Sequence, residues 1–294
     1  MTIAPMSDAD SFSASKPRGL TGKQLKQISS AVQVALILIA MFIMLVPIIW
    51  IFLAAFKSHV DVYQLKLFFT PTFANFGTVF DDPYRLGEKL FNSTVVALVT
   101  VIIAIPIATL AAYSFSRFSM RGETMMLVII LATQFVPAVV IILPFFVMFR
   151  DIGLLDTRLG LILVNLAIVM PFAIWMIKGF IDGIPMDTEE AAMVDGSSRL
   201  QVIRNIVLPM AAPGLLTSAI FCFIIAWNEF LFALILTNKE AVTLPIGLAL
   251  FKGEEGDLWN LLSAAGIIIM APMFVLALMI RKYFVQGMTM GAVR

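Results

Sequence analysis

Residues 27–56 read QISSAVQVALILIAMFIMLVPIIWIFLAAF, thirty positions without an aspartate, glutamate, lysine or arginine. A helix needs about 20 apolar residues to cross the hydrocarbon core of a bilayer, so this stretch spans one with room to spare. Five more such stretches follow at 90–116, 124–149, 159–177, 205–228 and 258–280, the fifth resuming beyond Glu229 to Asn238. The expected spans centre on 33–55, 92–114, 126–148, 159–180, 212–236 and 262–282. The fold class is therefore an all-α polytopic membrane protein with six transmembrane helices. The first stretch is too long for a cleaved signal peptide and follows a polar tail, so it is expected to stay as a span.

The whole chain of 294 residues agrees with its first apolar run. Hydrophobic residues make up 61% and charged residues only 13%, about half the ~25% of a soluble domain. Mean hydropathy is +0.99. A soluble or disordered chain is excluded, because so much apolar surface cannot all be hidden from water. With 20 Lys+Arg against 19 Asp+Glu, no basic excess exists to meet nucleic-acid phosphates. The single cysteine, Cys222, lies in an apolar run and reads as packing; it permits no disulfide within the chain and no zinc cluster. The single histidine, His59, reads as a solvated loop residue, with no G-x-S-x-G to make it catalytic.

Charges in the loops set the orientation. Lys16, Arg18, Lys23 and Lys26 precede the first span, Arg117 and Arg121 lie between spans two and three, and Arg281 and Lys282 follow span six. Six spans put all of these on one side, which the positive-inside rule makes cytoplasmic, with both termini. The loops at 57–89 and 239–257 are balanced or acidic. The division expected is a disordered tail at 1–26, the first span and an external loop at 27–91, a five-helix core at 92–282 and a cytoplasmic tail at 283–294. Prolines 47, 106, 137, 144, 171 and 272 fall inside spans; each removes a hydrogen bond and can kink its helix, but proline is common in membrane helices.

The loop between spans four and five, 179–210, is long for a connection. It reads as two short helices at the membrane surface. Asp187 with Glu190 forms a D-x-x-E cap, and Gly196 stands where a helix-stopping glycine belongs. Ser198 with Gln201 starts a second helix that Pro209 is expected to end. The loop is net acidic, an anomaly on a positive-inside face that a basic docking partner would explain.

The string Glu190-Ala191-Ala192-x3-Gly196-x9-Ile206-x-Leu208-Pro209 matches the EAA motif of ABC importer permeases at every fixed position. With Pro213-Gly214, Phe91-Asn92-Ser93, Ala226-Trp227-Asn228-Glu229 and Gly287-Met288-Thr289, the chain from about residue 30 onward resembles the carbohydrate-uptake, maltose-type branch of that family. The resemblance implies the type I transmembrane fold, with this loop as the coupling helix docked in a separate ATPase. It also implies a second permease subunit, an extracytoplasmic solute-binding protein and residence in a bacterial inner membrane. In that role Ala191 and Ala192 let the helix sit close in a groove, and Glu190 pairs with the ATPase. The chain itself has no G-x-x-x-x-G-K-[ST] loop to cradle ATP phosphates, and the resemblance implies a transport subunit rather than an enzyme, energised by a partner. No cofactor or metal is expected on it; ATP and magnesium belong to the partner.

Glu229 is the only ionisable residue inside an expected span, where it should face the interior. With Trp227 and Asn228 it either lines the translocation path or fixes helix packing; Gln134 and Asn165 are weaker path candidates. Other readings are a permease for an amino acid, peptide or glycerol-phosphate, or a stand-alone secondary transporter or channel. The last would call for more intramembrane ionisable groups.

Overall fold

In a computed structural model of the protein, residues 22–253 and 256–292 are described. They fall into two compact units that divide between Trp50 and Ile51. The first unit holds most of α1, Gly22–Ala55, which runs unbroken through Pro47. Residues 22–26 of the expected disordered tail are therefore helical: Lys23, Gln24, Leu25 and Lys26 are all good helix formers. Residues 1–21 lie outside the described residues.

In the second unit, two short helices follow: α2, His59–Tyr63, and α3, Ala74–Thr78. His59 opens α2 rather than sitting in a loop. It is exposed, its ring meets Tyr63 edge-on, and its Nδ1 lies 3.4 Å from Asn260 Oδ1. Asn75 bridges the same region, donating to the carbonyls of Ala55 and Lys57 and accepting from Asn260.

The long helices are α4, Leu86–Arg117; α7, Arg158–Asp182; α10, Leu208–Trp227; and α13, Trp259–Ala292. Between α4 and α7 the chain forms α5, Glu123–Ala132, and α6, Ala138–Asp151. Helix α4 buries Ala97, Ala104, Ala108 and Ala112 and exposes Leu98, Ile102 and Leu110. That inverts the soluble pattern, because lipid gives large apolar side chains no reason to turn inward. Small residues let backbones approach instead. Ala104, Ala108 and Ala112 pack with Val169, Ala173, Ile177 and Ile181 of α7. Gly214 admits the ring of Phe180 so closely that a Cβ there would lie 2.2 Å from its Cγ. Cys222 is fully buried in the same core.

Several polar groups in the long helices are satisfied within their own helix. Thr94, Thr109, Asn165, Thr217 and Asn228 each donate to the carbonyl four residues back, as a medium without water requires.

Two expected spans are not straight. The stretch expected as span three forms α5 and α6, bent by 92° at a break at Val136 and Pro137. Span five stops at Trp227 and resumes as α11, Leu231–Leu236. The expectation of a continuous helix through Glu229 is thus corrected. The helix from Arg199 instead runs through Pro209 to Trp227, so Pro209 does not end it. One wide turn at Ile203–Val207, with Leu208 N–H bonded to Ile203 O, accommodates the proline's missing donor. A short helix α12, Leu244–Ala249, and a two-residue hairpin of β1, Lys252–Gly253, and β2, Gly256–Asp257, lead into α13. Helix α13 reaches Ala292, so residues 283–292 of the expected tail are helical.

Candidate functional site

Besides the second helix running on through Pro209, the loop after α7 departs from expectation at its first cap. Its first helix is α8, Met186–Val194, and the residue at its N-cap is Pro185. Asp187 sits inside the first turn and caps nothing. Pro185, with φ −59° and ψ 132°, stands just outside the helix, which begins one residue before Asp187. At the other end Gly196 takes φ +90°, its N–H bonds Met193 O, and Ser197 N–H bonds Ala192 O. This is the Schellman closure that glycine favours. Ser198 and Gln201 form the expected capping box of α9, Arg199–Val202.

The motif residues divide between two faces. Glu190, Ala191, Gly196 and Pro209 are exposed. So are two apolar side chains nearby, Val194 at 87% and Leu200 at 72%. Ala192 and Ile206 are half-buried against the core of α4, α7 and α10, and Leu208 is half-buried at the start of α10.

Glu189 turns inward. Its Oε1 accepts from Arg117 Nε at 2.7 Å and its Oε2 from the Tyr113 hydroxyl at 2.9 Å. The two charged side chains are only 5% and 4% exposed. Arg117 spends its other donors on Ser116 Oγ and on the carbonyls of Ile181 and Ile184. Its guanidinium therefore joins the ends of α4 and α7 to the first turn of α8. Arg199 stacks over Phe118 at 4.8 Å just outside this network. In the sequence Arg117 reads as one more cytoplasmic cation and Glu189 as a first-turn acid. Only their burial shows them as a pair.

A cavity of about 710 Å³ opens at the bend of span three, lined by Thr133, Gln134, Phe135, Phe145, Glu229 and Phe232 among others. Gln134 Nε2 donates to Ile168 O at 2.9 Å. Glu229 is the member of the expected path triplet that reaches this cavity. Both its oxygens are engaged, accepting from Phe232 N–H at 2.7 Å and Ala233 N–H at 3.0 Å. Trp227 is buried and stacked on Phe223 in a separate core cluster. Asn228 is exposed and bonded to Ile224 O. Asn165 is buried, its amide spent on Leu161 O.

The segment after α11 is held by Asp156, which sequence reading passed over, and by Asn92 and Ser93. Asp156, at φ +55°, accepts four backbone N–H groups, those of Asn238, Lys239, Glu240 and Ala241, at 3.0–3.1 Å. Burial raises its carboxyl pKa, but the backbone donors outweigh that and hold it below the ordinary aspartate value. Asn92 donates to the carbonyls of Glu240 and Val242, and Ser93 accepts from Leu244 N–H. These give the Phe91-Asn92-Ser93 string a structural purpose.

Membrane-length helices around a capped, outward-facing surface helix define the transmembrane subunit of a transporter. The chain belongs to the family of binding-protein-dependent transport system inner membrane components, whose pattern matches residues 104–290. It is 36% identical over 254 residues to the trehalose transport system permease protein of Mycobacterium tuberculosis, covering 85% of this chain and 92% of that one. It is 32% identical over 256 residues to the trehalose/maltose transport system permease protein of Thermococcus litoralis, with 86% and 92% covered. Its fold matches a chain of a bacterial ABC transporter that imports the acidic polysaccharide alginate, with TM-score 0.74 and 26% identity over 92% of this chain and 100% of that one.

Proposed function

We propose that this chain is a permease subunit of an ATP-driven importer that moves a carbohydrate (a sugar, oligosaccharide or polyol) across the cytoplasmic membrane by alternating access. A second permease subunit completes the pathway, a separate ATPase dimer supplies the energy, and an extracytoplasmic protein delivers the solute. Both termini and α8 lie on the cytoplasmic side. The observation that carries this reading is the surface helix: Glu190, Ala191 and Val194 face outward on a helix closed at Gly196 and fixed from beneath through Glu189. Small and apolar groups on such a face suit a groove in another protein. The carbohydrate class is supported by the solutes in the relatives' names.

The cavity at the bend of span three is the candidate stretch of pathway in this chain. Non-helical backbone at membrane depth is tolerated where it is covered by protein or lines a cavity, and Val136 and Pro137, between the two helical pieces, line this one. Gln134 supplies a polar edge there and Phe135, Phe145 and Phe232 supply aromatic faces, a combination suited to a sugar ring. Glu229 serves as a cap for α11 at the cavity wall.

Co-expression with the neighbouring transporter subunits tests the reading. The chain is expected to co-purify with an ATPase whose hydrolysis rises when a sugar-loaded binding protein is added. Isolation as a stand-alone protein, with no ATPase and no second permease, would overturn it.

A further inference from the structure

The part of the motif loop that faces outward is assigned by the reading above. The part that faces inward is not, and it is the more constrained of the two. Arg117 is the last residue of α4, and its guanidinium touches three elements at once. Toward α7 it donates to Ile181 O and Ile184 O, both at 3.0 Å; toward α8 it donates to Glu189 Oε1 at 2.7 Å. Ser116 Oγ, beside it, donates to Asp182 Oδ1, and Asp182 is also held by Lys178. Tyr113, one helical turn earlier, closes the remaining oxygen of Glu189. Both carboxylate oxygens thus have a partner, as a buried pair must if it is not to cost more than it returns.

The alternative for a surface helix is to hang on its two flexible connections. Here it cannot: one side chain bridges its first turn to the ends of two spans. Arginine is the side chain that can do this, because its planar fork offers five donors in fixed directions, whereas lysine offers a point charge on a flexible stem.

We propose that Arg117 is a positioning residue for energy coupling. Through its buried pair with Glu189 it makes α8 and the ends of α4 and α7 one rigid body, so that displacement of α8 by the ATPase moves those spans rather than bending the loop. This rests on the ATP-driven permease reading. Its effect falls on the efficiency of coupling, not on ATP hydrolysis or solute recognition as such.

The test uses the assembled complex in lipid vesicles, measuring solute transported per ATP hydrolysed with saturating loaded binding protein. Arg117→Gln is expected to keep basal hydrolysis but lower the transport-to-hydrolysis ratio by about tenfold, within the usual range of coupling effects. Arg117→Lys keeps the charge and loses the fork; it should recover part of that loss, with a ratio lowered about threefold. A merely structural role would lower assembly, and with it transport and hydrolysis together, at an unchanged ratio. An unchanged ratio in Arg117→Gln overturns the proposal. Should that variant fail to assemble, an unchanged ratio in Arg117→Lys does so. Failure of the underlying reading is separate: the wild-type complex would then show no hydrolysis stimulated by binding protein.

Discussion

Glu189 and Glu190 are adjacent in the chain and face opposite environments, Glu189 3% exposed against Arg117 and Tyr113 and Glu190 in solvent. Truncating them should separate folding from docking. Glu190→Ala is expected to leave thermal unfolding within about 0.5 kcal/mol of wild type, as surface changes usually do, while weakening ATPase binding. Glu189→Ala strands a buried arginine and should cost about 3 kcal/mol. Calorimetry in detergent, alongside a pull-down of the ATPase, checks both; equal effects of the two substitutions would contradict the division of faces.

Asp156 makes the segment 238–241 sensitive to acid. Its folded pKa lies below its unfolded value, so its contribution is fully present above the unfolded carboxylate range and fades as pH falls through the folded pKa. Asp156→Asn keeps only one oxygen acceptor and should destabilise this segment by about 1–3 kcal/mol at neutral pH. Hydrogen exchange at Asn238, Lys239, Glu240 and Ala241 is expected to quicken in the variant. In wild type the same amides should lose protection only in acid, beyond the intrinsic pH dependence of exchange.

Gly214 and Phe180 should behave as an antagonistic pair. Gly214→Ala places a methyl group into the Phe180 ring and is expected to cost about 1–3 kcal/mol. In Phe180→Ala the obstacle is gone, so adding Gly214→Ala to that background should cost much less. Additive losses in the double variant would mean the ring is not what excludes the methyl group.

Glu229 is expected to act through α11 rather than through the solute. Glu229→Gln keeps one acceptor and loses one backbone bond, a change of about 1 kcal/mol in stability, with the KM for solute little altered. A large rise in KM at unchanged stability would instead make Glu229 a solute contact.

The cap and closure of the motif loop were legible because they are local. Gly196 and the Ser198–Gln201 box act within one turn, and the structure has them as read, whereas Asp187 lost the first cap to Pro185 two residues earlier. The bend of span three was not legible. Pro137 sits at a break while Pro106, Pro171 and Pro272 lie inside continuous helices. Whether a proline breaks a helix depends on whether neighbours satisfy the carbonyl it frees, which no single stretch of sequence records.

The sequence by itself determined that this chain belongs in a membrane, where its apolar stretches fall and which loop carries the family motif. Those properties follow from runs and spacings along one dimension. Only the tertiary structure decided which of two adjacent glutamates is exposed, that Asp156 gathers four amides from more than 80 residues away, and that Trp227 packs in a core cluster. Each of these depends on what a side chain meets across the bundle. The apolar runs could not encode it, because in lipid the inward and outward faces of a helix are almost equally apolar.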